Sequence, residues 1–212
     1  MHFGIFIYDG VEPIDLGTYG VLSMARRVAP QVEIATVAAH AGPVRFASGL
    51  EVLARHGIAD APDFDALIVT GGPGWEAQCV HAPTLDYLRR CVGAGHLVAA
   101  VCTGSMILAA SGVLDGRIAT TKREVIAGRE VPPLQRLQHE YPRVDARPAL
   151  LADSGLVVTG GGVTLCIDVT LYLLERLLGT EVASETARIM EYGAARAANR
   201  MRLPTLLGKQ RL

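Results

Sequence analysis

The feature that most constrains this chain is an alternation of short, unbroken apolar runs with longer segments of helical spacing. GIFIY at residues 4–8, ALIVT at 66–70, LVAAV at 97–101 and LVVT at 156–159 show no in-out alternation, and residues 32–39 are equally rich in strand formers. Runs of that length and continuity read as strands buried on both faces. Between them, apolar residues recur at helical spacing over residues 14–28, 83–92, 103–110, 132–140 and 164–178, with one more helix over 181–199. Residues 42–58 read as a small ribbon and 118–121 as a short extended piece. The pattern predicts an α/β fold: a three-layer α/β/α sandwich around a mostly parallel, doubly wound sheet. One domain over residues 1–200 accounts for it, followed by a loosely specified tail at 201–212.

Composition narrows the function classes. Half of the 212 residues are apolar and 19% are charged, enough to fill a large core and too apolar for a disordered chain. A net charge of −1 gives no reason to expect a nucleic acid or an anionic membrane as partner. No stretch approaches the ~20 apolar residues of a membrane span. The N-terminus lacks a basic leader and runs straight into a strand, so a cytoplasmic location with reduced cysteines is expected. None of the four cysteines stands in a C-x-x-C pair or beside histidines at zinc-ligand spacing, and no metal site is expected.

Three of the strands end unusually, and a parallel sheet brings such ends to one edge, where ligands bind. The first is followed by Asp9-Gly10 and the acids Glu12 and Asp15, the second by Gly71-Gly72-Pro73-Gly74, the third by Cys102-Thr103-Gly104. Cys102, between a strand and a helix with Ala100 and Gly104 flanking it, is placed like a nucleophile elbow. The N–H groups and dipole of the following helix would favour its thiolate. Cys79, Cys91 and Cys166 fall inside helical or loop patterns and read as inert thiols. The glycine loop lacks the Lys and Ser/Thr of a phosphate loop. It either presents backbone N–H groups to an oxyanion or is a plain tight turn. No histidine follows Cys102 or stands at a strand end, so a carboxylate is the available proton carrier. Asp15 is chosen over Glu12, although a carboxylate at that position also suits helix capping alone.

These residues resemble the ThiJ/PfpI superfamily of glutamine amidotransferase-like domains. The matching segments are GVEPIDL at 10–16, VTGGPG at 69–74, VCTGS at 101–105, LDGRIATT at 114–121 and TGGGVT at 159–164 with Ile167-Asp168, in order across nearly the whole chain. The resemblance implies a flavodoxin-like, class I glutamine amidotransferase-like sandwich. The C-T-G-S form is similar to isocyanide (isonitrile) hydratases and to the sensor domains of AraC-type regulators, and departs from branches in which histidine follows the cysteine. Lys122 stands where hydratase relatives usually carry histidine. The resemblance then implies that Cys102 attacks an isocyanide carbon and that Asp15 carries protons. Thr103 would orient the substrate, with backbone donors from Gly71, Gly72 and Gly74. It also implies a small-molecule substrate, no cofactor and a homodimer. Gly160, Gly161, Gly162 and Asp168 are read as structural first, Asp168 as a local cap or pairing partner. Detoxification of small carbonyl or amide compounds, and a non-catalytic sensor whose Cys102 is oxidised, stand as the alternative readings.

Overall fold

The computed structural model describes residues 1–208. Its twelve strands are β1 His2–Phe6, β2 Glu33–Ala38, β3 Gly42–Arg45, β4 Glu51–Ala54, β5 His56–Gly57, β6 Ala66–Val69, β7 Leu97–Ala100, β8 Ile118–Ala119, β9 Asp145–Ala146, β10 Leu151–Asp153, β11 Val157–Gly160 and β12 Thr205–Leu207. The helices are α1 Gly17–Ala25, α2 Trp75–Cys79, α3 Ala82–Gly93, α4 Gly104–Ala110, α5 Pro133–Glu140, α6 Cys166–Leu178, α7 Thr180–Ile189 and α8 Gly193–Arg202.

Eight strands form the central sheet in the order β12-β10-β11-β7-β6-β1-β2-β5. All pairs are parallel except β10 with β11. The continuous apolar runs explain this: β6 and β7 are buried at every residue, so both faces must be covered. Helices α1, α6 and α7 pack together, and α3 packs with α2 and α4, giving the three-layer α/β architecture expected. The core includes Phe3, Ile5, Leu67, Val98, Leu108 and Leu171, all with almost no exposed surface. The ribbon read over 42–58 is the antiparallel pair β3–β4 over 42–54, and β5 at 56–57 joins the central sheet instead.

Three expectations need adjustment. The helix read over 14–28 starts as a 3-10 turn, Pro13–Leu16, because Pro13 leads and α1 begins only at Gly17. The segment 181–199 is two helices, broken where Glu191 takes φ 54°. Thr205–Leu207, read as tail, is an edge strand paired with β10, and residues 209–212 of that tail lie outside the described residues. No described helix is long and apolar enough to cross a membrane.

Candidate active site

Register decides where the three unusual strand ends meet. Phe6 pairs with Val69 and Val69 with Ala100, so β1, β6 and β7 finish side by side. Tyr8, Gly71 and Cys102 follow two residues beyond those ends. Cys102 takes φ 52°, a left-handed conformation that non-glycine residues seldom adopt and that the surrounding structure must hold in place. Its N–H donates to the carbonyl of Gly161 at 3.2 Å, and its own carbonyl accepts from Thr121 Oγ1 at 2.7 Å. Glycine lets the neighbouring chains close in. A methyl on Gly104 would lie 2.4 Å from the Val69 carbonyl, and one on Gly71 would lie 2.5 Å from the Thr103 nitrogen and 2.8 Å from Cys102 Cβ. The elbow is therefore packed from three sides by backbone.

Asp15 is fully buried behind Gly71, whose N–H donates to Asp15 Oδ2 at 2.6 Å, while Oδ1 has no partner. Burial, which penalises the charged carboxylate, raises its pKa from 3.8 to about 7, with Glu12 adding to the rise and the Gly71 N–H opposing it. The charge state of Cys102 departs from expectation. Burial first and the Asp15 carboxylate second push its thiol from 9.0 up to about 12, against the Thr103 N–H and Lys122, which act the other way. Loss of solvation thus opposes the charge that the helix N-terminus would favour on the sulfur. The two groups are coupled. When Asp15 gains a proton, the carboxylate that opposes a thiolate is gone.

Cys102 and Thr103 lie in the wall of an open cleft of about 1220 Å³, with Trp75 and α5 on one side and the irregular segment 122–131 on another. Glu12 and Gly72 also line it, whereas Asp15, Gly71 and Gly74 do not. The backbone donors assigned to the glycine loop are already engaged. Gly71 N–H goes to Asp15, Gly72 N–H to Thr103 Oγ1 at 2.9 Å, and Gly74 N–H to the Gly10 carbonyl at 3.1 Å. Pro73 has none. The loop consequently builds the site from within and leaves no free amide for an oxyanion, a correction to the role read from sequence.

Thr103 thus locks the loop to the elbow, and Gly162 closes it from above: a methyl there would meet Cys102 Sγ and Lys122 Cβ, each at 3.0 Å. Residues that sequence reasoning passed over also gather here. Tyr8 donates to the Thr70 carbonyl at 3.1 Å, and its phenol pKa is raised by burial, then by Asp15 and Cys102. Cys166, read as inert, sits beneath the site, its Sγ 3.5 Å from the Ile14 carbonyl and its pKa raised by burial, Asp15 and Cys102. The position of Tyr8 two residues past a central strand was the available signal. Asp168 does not pair locally: Oδ2 accepts from Tyr192 Oη at 2.8 Å and Asn199 Nδ2 at 2.9 Å, tying α6 to the α8 region. Among the described residues no group of three or more His, Cys, Asp or Glu side chains could hold a metal ion.

The sequence pattern of the DJ-1/PfpI family matches residues 3–176. The isonitrile hydratase of Pseudomonas putida is 30% identical over 199 residues, covering 92% of this chain and 80% of that protein. The HTH-type transcriptional regulator GbdR of Pseudomonas aeruginosa is 30% identical over 144 residues, 68% of this chain but only 37% of the regulator. Among solved structures, a ThiJ/PfpI family protein from Pseudomonas syringae superimposes with a TM-score of 0.77 at 22% identity, covering 93% of this chain and 83% of that one.

Proposed function

Because the chain belongs to the DJ-1/PfpI family, we propose that it is a cysteine-nucleophile enzyme that hydrates an isocyanide to an N-substituted formamide. The observation that carries this reading is the buried pair at the elbow: a thiol on the cleft wall and, behind Gly71, a carboxylate poised near neutrality. The similarity to a hydratase over most of both chains supports the choice of substrate class.

The steps follow from that pair. Ionised Asp15 takes the proton of Cys102, and the thiolate adds to the terminal isocyanide carbon. The proton held by Asp15 then moves to that carbon, giving a thioimidate. Water adds across the carbon–nitrogen double bond, and collapse expels Cys102 as the leaving thiol and releases the formamide. The net change is one isocyanide plus one water. A proton acceptor with a pKa near the working pH suits this cycle, since it must both accept and return a proton.

Incubation with an alkyl or aryl isocyanide, with formamide followed by chromatography, tests the reading. Wild type is expected to produce formamide, and Cys102→Ala to lose turnover by about 10³-fold or more with its melting temperature preserved. No formamide from folded wild type over a panel of isocyanides refutes it. A homodimer is proposed from the resemblance and is checked by analytical ultracentrifugation.

A further inference from the structure

Nucleophilic attack by Cys102 leaves negative charge first on sulfur and then on the substrate carbon, and something must face it. The glycine loop cannot, because its amides are engaged with Asp15, Thr103 and Gly10. Of the two cations lining the cleft, Arg136 lies over the Trp75 ring at 4.5 Å and is ion-paired to both Glu76 and Glu140. Lys122 takes part in none of the ion pairs among the described residues. Its Cβ and Cγ and the Cys102 sulfur all crowd the same face of Gly162, each 3.0 Å from where a methyl would stand. Its place is fixed by the two preceding residues: Thr121 holds the Cys102 carbonyl, and Thr120 N–H donates to Thr159 Oγ1 at 2.8 Å.

We propose that Lys122 is the cation that stabilises the charge of the reacting pair, on the Cys102 thiolate and then on the carbon it attacks. The inference deepens the hydratase reading and rests on it for the second half. The ammonium neither gains nor loses a proton: the proton leaves Cys102 for Asp15 and passes from there to the carbon, while the sulfur–carbon bond forms. Other ionisable groups facing the sulfur are Asp15 from the 3-10 turn, Tyr8 beyond β1 and Cys166 at the start of α6, with Glu12 across the cleft. Each of these either opposes a thiolate or is neutral. Lys122 is the one side chain that favours it by charge.

The test measures Cys102 itself. Iodoacetamide, which is small and uncharged, labels thiolates, and mass spectrometry separates the Cys102 peptide from those of Cys79 and Cys91, which serve as internal controls. At pH 8, Lys122→Met and Lys122→Gln are expected to label Cys102 roughly tenfold more slowly than wild type, with the controls unchanged, and Lys122→Arg to label it within about twofold. A purely structural role gives the opposite sign, since a loosened elbow exposes the sulfur and speeds labelling. Unchanged or faster labelling of Cys102 in the Met and Gln variants overturns the proposal. Turnover is a separate arm. With an isocyanide, Lys122→Met is expected to lower kcat more than it raises KM. If wild type makes no formamide, the hydratase reading fails while labelling still decides Lys122.

Discussion

Asp15 and Asp168 are both buried carboxylates, each with one oxygen lacking a partner and a pKa raised chiefly by burial. Their surroundings are opposite. Asp168 accepts two side-chain hydrogen bonds and feels Arg196 and Arg200, which all favour its charge. Asp15 has a single backbone N–H and a like charge nearby in Glu12. The same residue type is thus a settled tether in one place and, in the reaction proposed, a proton carrier in the other. Burial alone does not make a working acid or base. Withholding of compensating partners does.

That contrast predicts how each aspartate responds to neutralisation. The largest effect is expected on turnover: Asp15→Asn should lose formamide production by about 10²–10⁴-fold, as removal of a proton carrier does, whereas Asp168→Asn should stay within about twofold. Equal losses would erase the distinction. Next comes stability against pH. The raised native pKa of Asp15 means the folded protein keeps a proton that the unfolded chain has released. Its stabilising contribution is full below pH 3.8 and lost as pH rises through 7. Asp15→Asn should therefore be more stable than wild type at pH 8, by up to about 4 kcal/mol, and the gain should vanish near pH 4. Urea unfolding at the two pH values reads it, and a variant less stable at pH 8 would contradict the assignment. Smaller again, Asp168→Asn, which removes a charge whose pKa is raised in the same direction but keeps an acceptor for Tyr192 and Asn199, should gain less than Asp15→Asn at pH 8, and Tyr192→Phe should destabilise by about 1 kcal/mol. Thermal melts decide whether these follow that order.

How much of this was readable beforehand follows the range of the interactions. The central strands and the elbow were legible because a run such as ALIVT or LVAAV states its own burial and Gly104 states the tight turn beside Cys102. The chemistry of Asp15 was only half legible. Its place beyond β1 follows from sequence, but its pKa depends on Gly71, 56 residues away, and on exclusion of water. The glycine loop misled for the same reason: which amides are free depends on Thr103 and Gly10 arriving from other strand ends. Asp168 looked local because its partners, Tyr192 and Asn199, lie 24 and 31 residues on. The thiol of Cys102 was misjudged because helix termini are visible in sequence and desolvation is not.

The two ends of the main sheet have a practical side. One border is the two-residue β5, and the other is the three-residue β12, held by pairing of Leu151, Ala152 and Asp153 with Thr205, Leu206 and Leu207. Short borders give a neighbouring molecule little backbone to zip onto. Trimming the chain to end at Leu203 would strip one border and bare β10, which is as short as β12 but carries the buried Leu151 and Ala152. Such a shortened protein should run partly as large species on gel filtration, so anyone tailoring the molecule for crystallisation or fusion would do well to keep residues 204–208.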